Sequence, residues 1–390
     1  MHNFFLKSKI YKKSDQQLSN IFDMELKPIF TEKKRPILIA GPCSAETEGQ
    51  VMSIARDLAK QNIDLFRAGI WKPRTRPGAF EGVGSEGLKW LKRVKEETGL
   101  RTTVEVANAH HVYEALKFGV DVLWIGARTT VNPFSVQEIA DALRGCDIPV
   151  MIKNPINPDL ELWLGAFERL HKAGITRLAA IHRGFSTAAK TQYRNVPHWE
   201  IAIELMRRMP EMTIIGDNSH ICGNRHMLAE VAQQMMDLNY DGLITEVHCN
   251  PDEAWSDAKQ QIVPEVYKKL IADLHIREKS DAGLLNSIEA LRVRIDEIDN
   301  DLLTLLGKRM QFAQEVGKYK KQNNIGILQT ARWNEILNSA VQKGRTRNLS
   351  DEFVIQFLSS IHQESIRHQN IVMNAPEGVD VPVTPVAVKA

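Results

Sequence analysis

Eight short apolar runs rich in β-formers, Ile37–Ala40, Leu65–Ala68, Thr102–Val106, Val122–Ile125, Pro149–Ile152, Arg177–Ile181, Thr213–Ile215 and Gly242–Val247, form a repeating alternation along the chain. Between them lie helical patterns at Val51–Lys60, Leu88–Glu97, Val112–Lys117, Val136–Leu143, Leu160–His171, Glu200–Arg208 and Met227–Met236. Parallel strands buried on both faces read as continuous apolar runs, and their alternation with helices implies βαβ units. Eight units over roughly 235 residues match a closed (β/α)8 TIM barrel, here residues 36–272. A doubly wound open sheet is the alternative, because strand count alone does not establish closure.

The chain has 390 residues, which suits two domains. Its formal net charge of +2 points to neither nucleic acid nor an anionic membrane. No apolar run approaches the roughly 20 residues of a membrane helix. Cys43, Cys146, Cys222 and Cys249 are too few and too scattered for a disulfide framework, so a reducing cytoplasm is expected. Residues 1–35 read as a short polar extension with an amphipathic patch near Ile21–Ile29.

The hydrophobic period changes near residue 273. Residues 273–283 are polar and read as a linker. Ile288, Leu291, Ile295, Ile298, Leu302, Leu305, Phe312 and Val316 then fall at helical spacing, as one long amphipathic helix of about nine or ten turns. Helices around Gln329–Gln342 and Asp351–Gln369 complete a small all-α, three-helix domain over 284–370, with Ser350 as an N-cap. The long stripe exceeds what two shorter helices can cover, so a helix from a second chain is expected against it. Residues 371–390 read as a disordered tail.

In a (β/α)8 barrel the active site forms at the C-terminal strand ends. Those ends carry Arg67, Glu105, Ala127-Arg128, Lys153, His182-Arg183, Asp217 to His220, and Glu246 to His248. The loop Lys72-Pro73-Arg74-Thr75-Arg76-Pro77 adds cations between two stiffening prolines. Arg67, Lys72, Arg74, Arg128, Lys153 and Arg183 would repel one another unless a multiply charged anion joined them, and two phosphates would engage them all. Cys43, His220, Glu246 and Asp257 form a donor set suited to Mn²⁺, Fe²⁺, Co²⁺ or Zn²⁺ rather than Ca²⁺. His248 and Cys249 are rival ligands, and Cys43 could equally be a small buried apolar residue.

These residues resemble a known family. Ala40-Gly41-Pro42-Cys43-Ser44, the Lys72–Pro77 loop, Ile125-Gly126-Ala127-Arg128, Arg183-Gly184, Asp217-Asn218-Ser219-His220 and Glu246-Val247-His248 look like 3-deoxy-D-arabino-heptulosonate 7-phosphate (DAHP) synthase. The resemblance implies condensation of phosphoenolpyruvate with erythrose 4-phosphate, the first step of the shikimate pathway. It implies a divalent metal, Mn²⁺ foremost, on Cys43, His220, Glu246 and Asp257. Arg67, Lys72, Glu105, Ala127, Arg128, Lys153, Arg183 and His220 would surround phosphoenolpyruvate, with Lys72 as general acid. Arg74 and Thr75 would hold the erythrose phosphate. Asn218 stands where many relatives carry proline.

Residues 284–370 are similar to the all-helical chorismate mutases through Leu291-Arg292, Ile295 to Asp299, Lys308-Arg309, Val316 to Lys320 and Arg332. That implies rearrangement of chorismate to prephenate, a substrate clamp of Arg292, Arg309 and Arg332, and donation by Lys320 to the breaking ether. Arg309 and Lys320 share a helix face, whereas Arg292 points about 100° away, which suits a homodimer in which it serves the partner's site. Gln329 and Trp333 replace acids that in many relatives contact the substrate hydroxyl. The family's late-helix glutamine falls near Ser359 or Gln363, and Gln363 is the expected substrate contact. Prephenate is the expected feedback inhibitor. A helical domain that only regulates or dimerises the synthase is the alternative reading.

Overall fold

The computed structural model describes residues 24–30, 35–73, 78–277 and 285–376, the side chains of 285–287 and 290 excepted. The chain divides into two compact units, residues 1–279 and 280–390.

In the first unit, strands β1 (Ile37–Gly41), β2 (Leu65–Arg67), β3 (Thr102–Val106), β4 (Val122–Ile125), β5 (Val150–Lys153), β6 (Leu178–His182), β7 (Thr213–Gly216) and β8 (Gly242–Glu246) form a closed barrel in sequence order. Every neighbouring pair is parallel, and β8 closes on β1 with Ile37 opposite Gly242 and Gly41 opposite Glu246. Closure excludes the open sheet. Helices α1 (Glu48–Ala59), α2 (Glu86–Thr98), α3 (Ala109–Lys117), α4 (Pro133–Ala142), α5 (Leu160–Lys172), α6 (Trp199–Arg208), α7 (Leu228–Asp237) and α8 (Pro264–Ala272) follow the successive strands.

Side chains along a strand alternate between barrel interior and helical layer. Ile37, Ile39, Leu65, Val122, Trp124, Met151, Ala179, Ile181, Ile215 and Ile244 pack together as the interior core. Leu38, Ala40, Phe66, Val104, Leu123, Ile152 and Leu243 face outward into the layer beneath the helices. Two residues beyond an inward apolar residue, the next inward position is polar on five strands: Arg67, Lys153, Arg183, Asp217 and Glu246. The same two-residue period that fills the core thus delivers charge to its C-terminal end.

Several helices begin earlier than their apolar periodicity suggests, because polar caps extend them. Thr47 accepts from Gln50 N at the start of α1, Asn108 from His111 N at α3, and Asn132 from Phe134 N at α4. The N-terminal extension is also partly built into the barrel. Ile29 and Phe30 are buried in the interior core, the Arg101 guanidinium lies 4.9 Å from the Phe30 ring, and Lys27 N donates to Thr176 O at 2.9 Å. Arg101 and Thr176 both precede strands, so this segment closes the N-terminal end.

The second unit contains α9 (Leu285–Gln322), α10 (Thr330–Arg345) and α11 (Asp351–Met373). Ser350 caps α11 by accepting from Phe353 N. That helix continues through Ile371 and Val372, with Val372 5% exposed, so residues 371–373 belong to the fold rather than to a tail. On α9, Leu291, Ile295, Ile298, Leu302, Leu305, Phe312 and Val316 are all exposed within a single chain. Among the described residues no helix is long and apolar enough to cross a membrane.

His182, at the end of β6, has no exposed surface. Its Nε2 contacts Pro197 O at 2.6 Å, and Tyr240 Oη lies 2.7 Å from Nδ1. Burial depresses its pKa from 6.5 to about 4. The sign follows from linkage: between those values the unfolded chain takes a proton that the native barrel refuses. Stability is full above pH 6.5 and falls by roughly 3 kcal/mol as pH drops toward 4 on this account. His182→Gln, which can keep both bonds without titrating, should flatten that part of the stability curve in denaturant unfolding series at pH 4–7; an unchanged slope would assign the effect elsewhere.

Candidate active site

At the C-terminal end of the barrel the inward charges meet around Trp124. The Arg67 guanidinium lies 5.3 Å and the Lys153 ammonium 5.8 Å from its ring centre. The indole N–H donates to Glu105 Oε2 at 2.9 Å. Glu105 lies so close to the β4 end that a Cβ on Gly126 would stand 2.1 Å from its Oε1.

Arg67, 1% exposed, pairs with Glu246 Oε1 at 3.1 Å, while its Nε and Nη1 are buried without a hydrogen-bond partner. Lys153 pairs with Asp217 Oδ2 at 2.9 Å. Asp217 caps the short helix Asn218–Cys222 by accepting from His220 N and also receives His220 Nδ1 at 2.9 Å. With Nδ1 donating, the neutral imidazole leaves its Nε2 lone pair toward Glu246, 3.8 Å from Oε1. Burial lowers the His220 pKa and favours that neutral form.

Glycine at position 41 has φ +147°, and a Cβ there would lie 2.1 Å from Arg67 O. This close approach sets Cys43 beside the end of β2. Lys72 Nζ donates to Cys43 O at 2.9 Å and lies 3.0 Å from Cys43 Sγ. Cys43 Sγ is 3.3 Å from Asp257 Oδ2, and donor atoms of Cys43, Glu246 and Asp257 all fall within 4.8 Å of one another. Burial, with Glu246 nearby, pushes the Cys43 thiol up to about 12.

Asp257 comes from the loop after β8 in a left-handed conformation, φ +48°. That loop is clamped to the end of β1. Trp255 N donates to Glu46 Oε1 at 2.7 Å, the Ser44 and Ser256 hydroxyls bond, and Cys43 N donates to Gln261 Oε1 at 3.0 Å. His248 is engaged with Glu46 in this clamp and Cys249 is exposed, so neither rival belongs to the donor cluster.

Arg183 donates to Asn195 Oδ1 at 2.7 Å, and burial brings its pKa down to about 10. Arg128 is exposed and donates to Pro73 O at 3.3 Å, and Ala127 is buried beside it. Arg74 and Thr75 lie outside the described residues. Two contributors escape motif reading. Arg194 pairs with Asp257 Oδ1 at 3.0 Å, and Gln260 donates to Glu246 Oε2 at 2.6 Å while accepting from Arg194 at 2.6 Å. Both sit in loops without a distinctive pattern.

In the helical unit Arg309 donates to Ser365 Oγ, and Lys320 Nζ contacts Ile327 O at 2.5 Å and Gln369 Oε1 at 3.2 Å. Lys320, Ser365 and Gln369 are buried. Gln363 and Ser359 are not the glutamine and serine at this site: Gln363 is exposed on the far side of α11, and Gln369, six residues on, faces Lys320. Arg332 is exposed and paired with Glu335 at 2.9 Å, and Arg292 lies 3.5 Å from Glu289. Arg332 is thus turned toward Glu335 and solvent rather than hydrogen-bonded beside Arg309 and Lys320.

Comparison with known proteins gives a family for each of the two units. Residues 17–285 match the DAHP synthetase I family model, and residues 291–370 match chorismate mutase type II. The barrel is similar to aldolases of two names. A Thermotoga maritima phospho-2-dehydro-3-deoxyheptonate aldolase is 29% identical over 237 residues, covering 61% of this chain and 68% of the relative. A Wolinella succinogenes 2-dehydro-3-deoxyphosphooctonate aldolase is 27% identical, covering 61% and 97%. The crystal structure of the Thermotoga DAHP synthase aligns with a TM-score of 0.55 at 27% identity, covering 61% of this chain and 67% of that one. A truncated form of the Thermotoga maritima enzyme gives a TM-score of 0.56 at 25% identity, covering 64% and 91%. The chain belongs to the DAHP synthetase I family, and it carries a chorismate mutase type II domain at its C-terminal side.

Gly126→Ala tests the packing at the mouth. Glu105 must move off its bond to Trp124, so stability should fall by about 1–3 kcal/mol in denaturant unfolding. Synthase activity should fall with it; wild-type stability and rate would mean that Glu105 has room the structure does not give it.

Proposed function

We propose that the barrel joins phosphoenolpyruvate to erythrose 4-phosphate in a metal-dependent reaction, and that the helical domain converts chorismate to prephenate. The observation that carries the first part is Arg67, buried with two N–H groups unpartnered. A cation so enclosed with unused donors is suited to an anion. Lys153, Arg183 and Arg128 extend the same positive lining, and in this reading they receive the phosphate and carboxylate of phosphoenolpyruvate with Glu105, Ala127 and His220. Arg74 and Thr75 take the erythrose phosphate on the strength of their motif.

The metal reading rests on the donor set. Glu246 Oε1 is buried, facing Arg67 in an ion pair, Cys43 and Asp257 lie beside it, and His220 offers Nε2. A thiolate, an imidazole and two carboxylates suit Mn²⁺, with Fe²⁺, Co²⁺ or Zn²⁺ able to replace it. A cation held there supplies Lewis-acid polarisation of the aldehyde oxygen and keeps the Cys43 thiol ionised. The protein's own part is alignment and proton supply. The cations hold two mutually repelling anions at bonding distance. Lys72 gives a proton to the aldehyde oxygen as the new carbon–carbon bond forms.

In the helical domain half-buried Arg309 and buried Lys320 are the cations for a dicarboxylate undergoing pericyclic rearrangement, which needs no nucleophile. Lys320 donates to the breaking ether, and Ser365 and Gln369 line the same pocket. Arg332 and Arg292 complete the clamp, Arg292 from a second chain. The exposed stripe of α9 supports that homodimer, since an apolar face of this length is costly in water. Prephenate binding at this site is the proposed feedback signal to the synthase.

The deciding experiment is a pair of assays on the whole chain. With Mn²⁺, phosphate release should require both phosphorylated substrates and vanish on chelation, and Glu246→Gln should lose metal binding by calorimetry. Absence of phosphate release with Mn²⁺ sinks the synthase reading. Arg309→Ala should cut chorismate turnover at least a hundredfold and raise the prephenate concentration needed to inhibit the synthase. Unchanged turnover would leave the helices a regulatory or dimerising module, and an unchanged prephenate response would detach feedback from this site.

A further inference from the structure

His362 occupies the first of three α11 positions, 362, 365 and 369, that share one face of the helix. Ser365 and Gln369 on that face are the partners of Arg309 and Lys320. The face that looks at the two cations therefore carries an imidazole one turn earlier. The His362 ring stacks on Trp333 of α10, with ring centres 4.1 Å apart and planes 12° from parallel. Its Nε2 is buried and has no hydrogen-bond partner. Buried polar atoms without partners are rare, and a binding site is a common reason for one.

Trp333 stands where relatives carry an acid for the substrate hydroxyl, and Gln329, the other replaced acid, is exposed. The pocket as built from Arg309, Lys320, Ser365 and Gln369 has two cations for carboxylate and ether groups. It lacks the acidic hydroxyl partner at position 333. We propose that His362 is a further substrate contact of the mutase site, with Nε2 as the hydrogen-bond partner of the substrate's ring hydroxyl and Trp333 holding the imidazole in place. This rests on the chorismate mutase reading and deepens it.

The alternatives for the ring are weaker. As an imidazolium it would add a third positive charge beside Arg309 and Lys320, and burial together with those two cations lowers its pKa, so the ring is neutral. A neutral imidazole is a poor partner for a carboxylate and a good one for a hydroxyl, since its Nε2 can donate or accept according to tautomer. A purely structural stack would not require the Nε2 edge to be enclosed yet unbonded.

The test uses the full chain, chorismate, and the analogue lacking the ring hydroxyl. Wild type should prefer chorismate in kcat/KM by about tenfold to a hundredfold, because a polar site rejects a ligand that leaves its group unpaired. His362→Phe keeps a ring against Trp333 but no polar edge. It should lose that preference, lowering kcat/KM for chorismate while leaving the analogue within about twofold. His362→Gln should recover part of it. A His362→Phe variant that lowers both substrates equally, or neither, overturns the proposal, and thermal melts distinguish misfolding from lost contact. A wild type without preference for the hydroxyl overturns it whatever the variants do. A wild type that turns over the analogue and chorismate alike still supports the mutase reading, whereas one that turns over neither removes that reading and this contact together.

Discussion

Two buried ion pairs, Arg67 with Glu246 and Lys153 with Asp217, are what the mouth of the barrel is arranged around. Taking such charges out of water costs several kcal/mol per ion, and pairing them often does no more than offset that. They persist because the layers beneath are apolar and closely packed, from Ile37 and Phe30 up to Trp124. The stability of the interior carries a strained electrostatic layer above it. What the arrangement supplies is preorganisation: Arg67 cannot swing away, so its unused N–H groups stay aimed at one place. His220 is fixed in the same way through Asp217, which orients the ring and selects the nitrogen left free.

The helical domain solves a related problem with fewer layers. Its two cations, half-buried Arg309 and buried Lys320, meet hydroxyl, carbonyl and amide oxygens rather than carboxylates. Their charge is therefore not cancelled, and burial depresses both pKa values while leaving them cationic. Uncancelled charge in a small core is unfavourable until an anion arrives, which makes substrate charge part of the domain's stability. The same economy of layers explains the bare stripe of α9. Two shorter helices cover only part of the longest one, so its exposed apolar residues require a second surface.

The barrel was legible because its two periods are physical necessities: alternation along a strand and apolar spacing along a helix. Each strand-end charge sits at a position that the core pattern dictates, so Arg67, Lys153 and Glu246 could be placed from the sequence. Contributions from loops were not legible. Arg194 reaches Asp257 and Gln260 from a distant segment, 66 residues from Gln260, and such contacts leave no local pattern. Ile29 and Phe30 looked like part of a polar extension because a plug of two residues has no period. On α11 the error had another source: turn lengths between helices set which residue faces Lys320, and Gln369 rather than Gln363 won that position.

Asp257 shows how the donor cluster can exist at all. Three acidic groups within 4.8 Å in a buried site repel one another strongly. One Asp257 oxygen is tied to Arg194, and burial of the carboxyl is outweighed by the cations Arg194 and Lys72, so it stays ionised well below the usual range. Glu246 is balanced by Arg67 and Lys72 in the same manner. Cys43 relieves the remainder by staying a thiol that donates to Asp257. The strand-borne Glu246 is thus fixed by the sheet, while Asp257, on a loop in a left-handed turn, depends on Arg194 and the Glu46 clamp for its aim. On the proposed reading a divalent cation would be held by Cys43, His220, Glu246 and Asp257, and its two positive charges would offset the carboxylates and the ionised thiol without rebuilding the barrel.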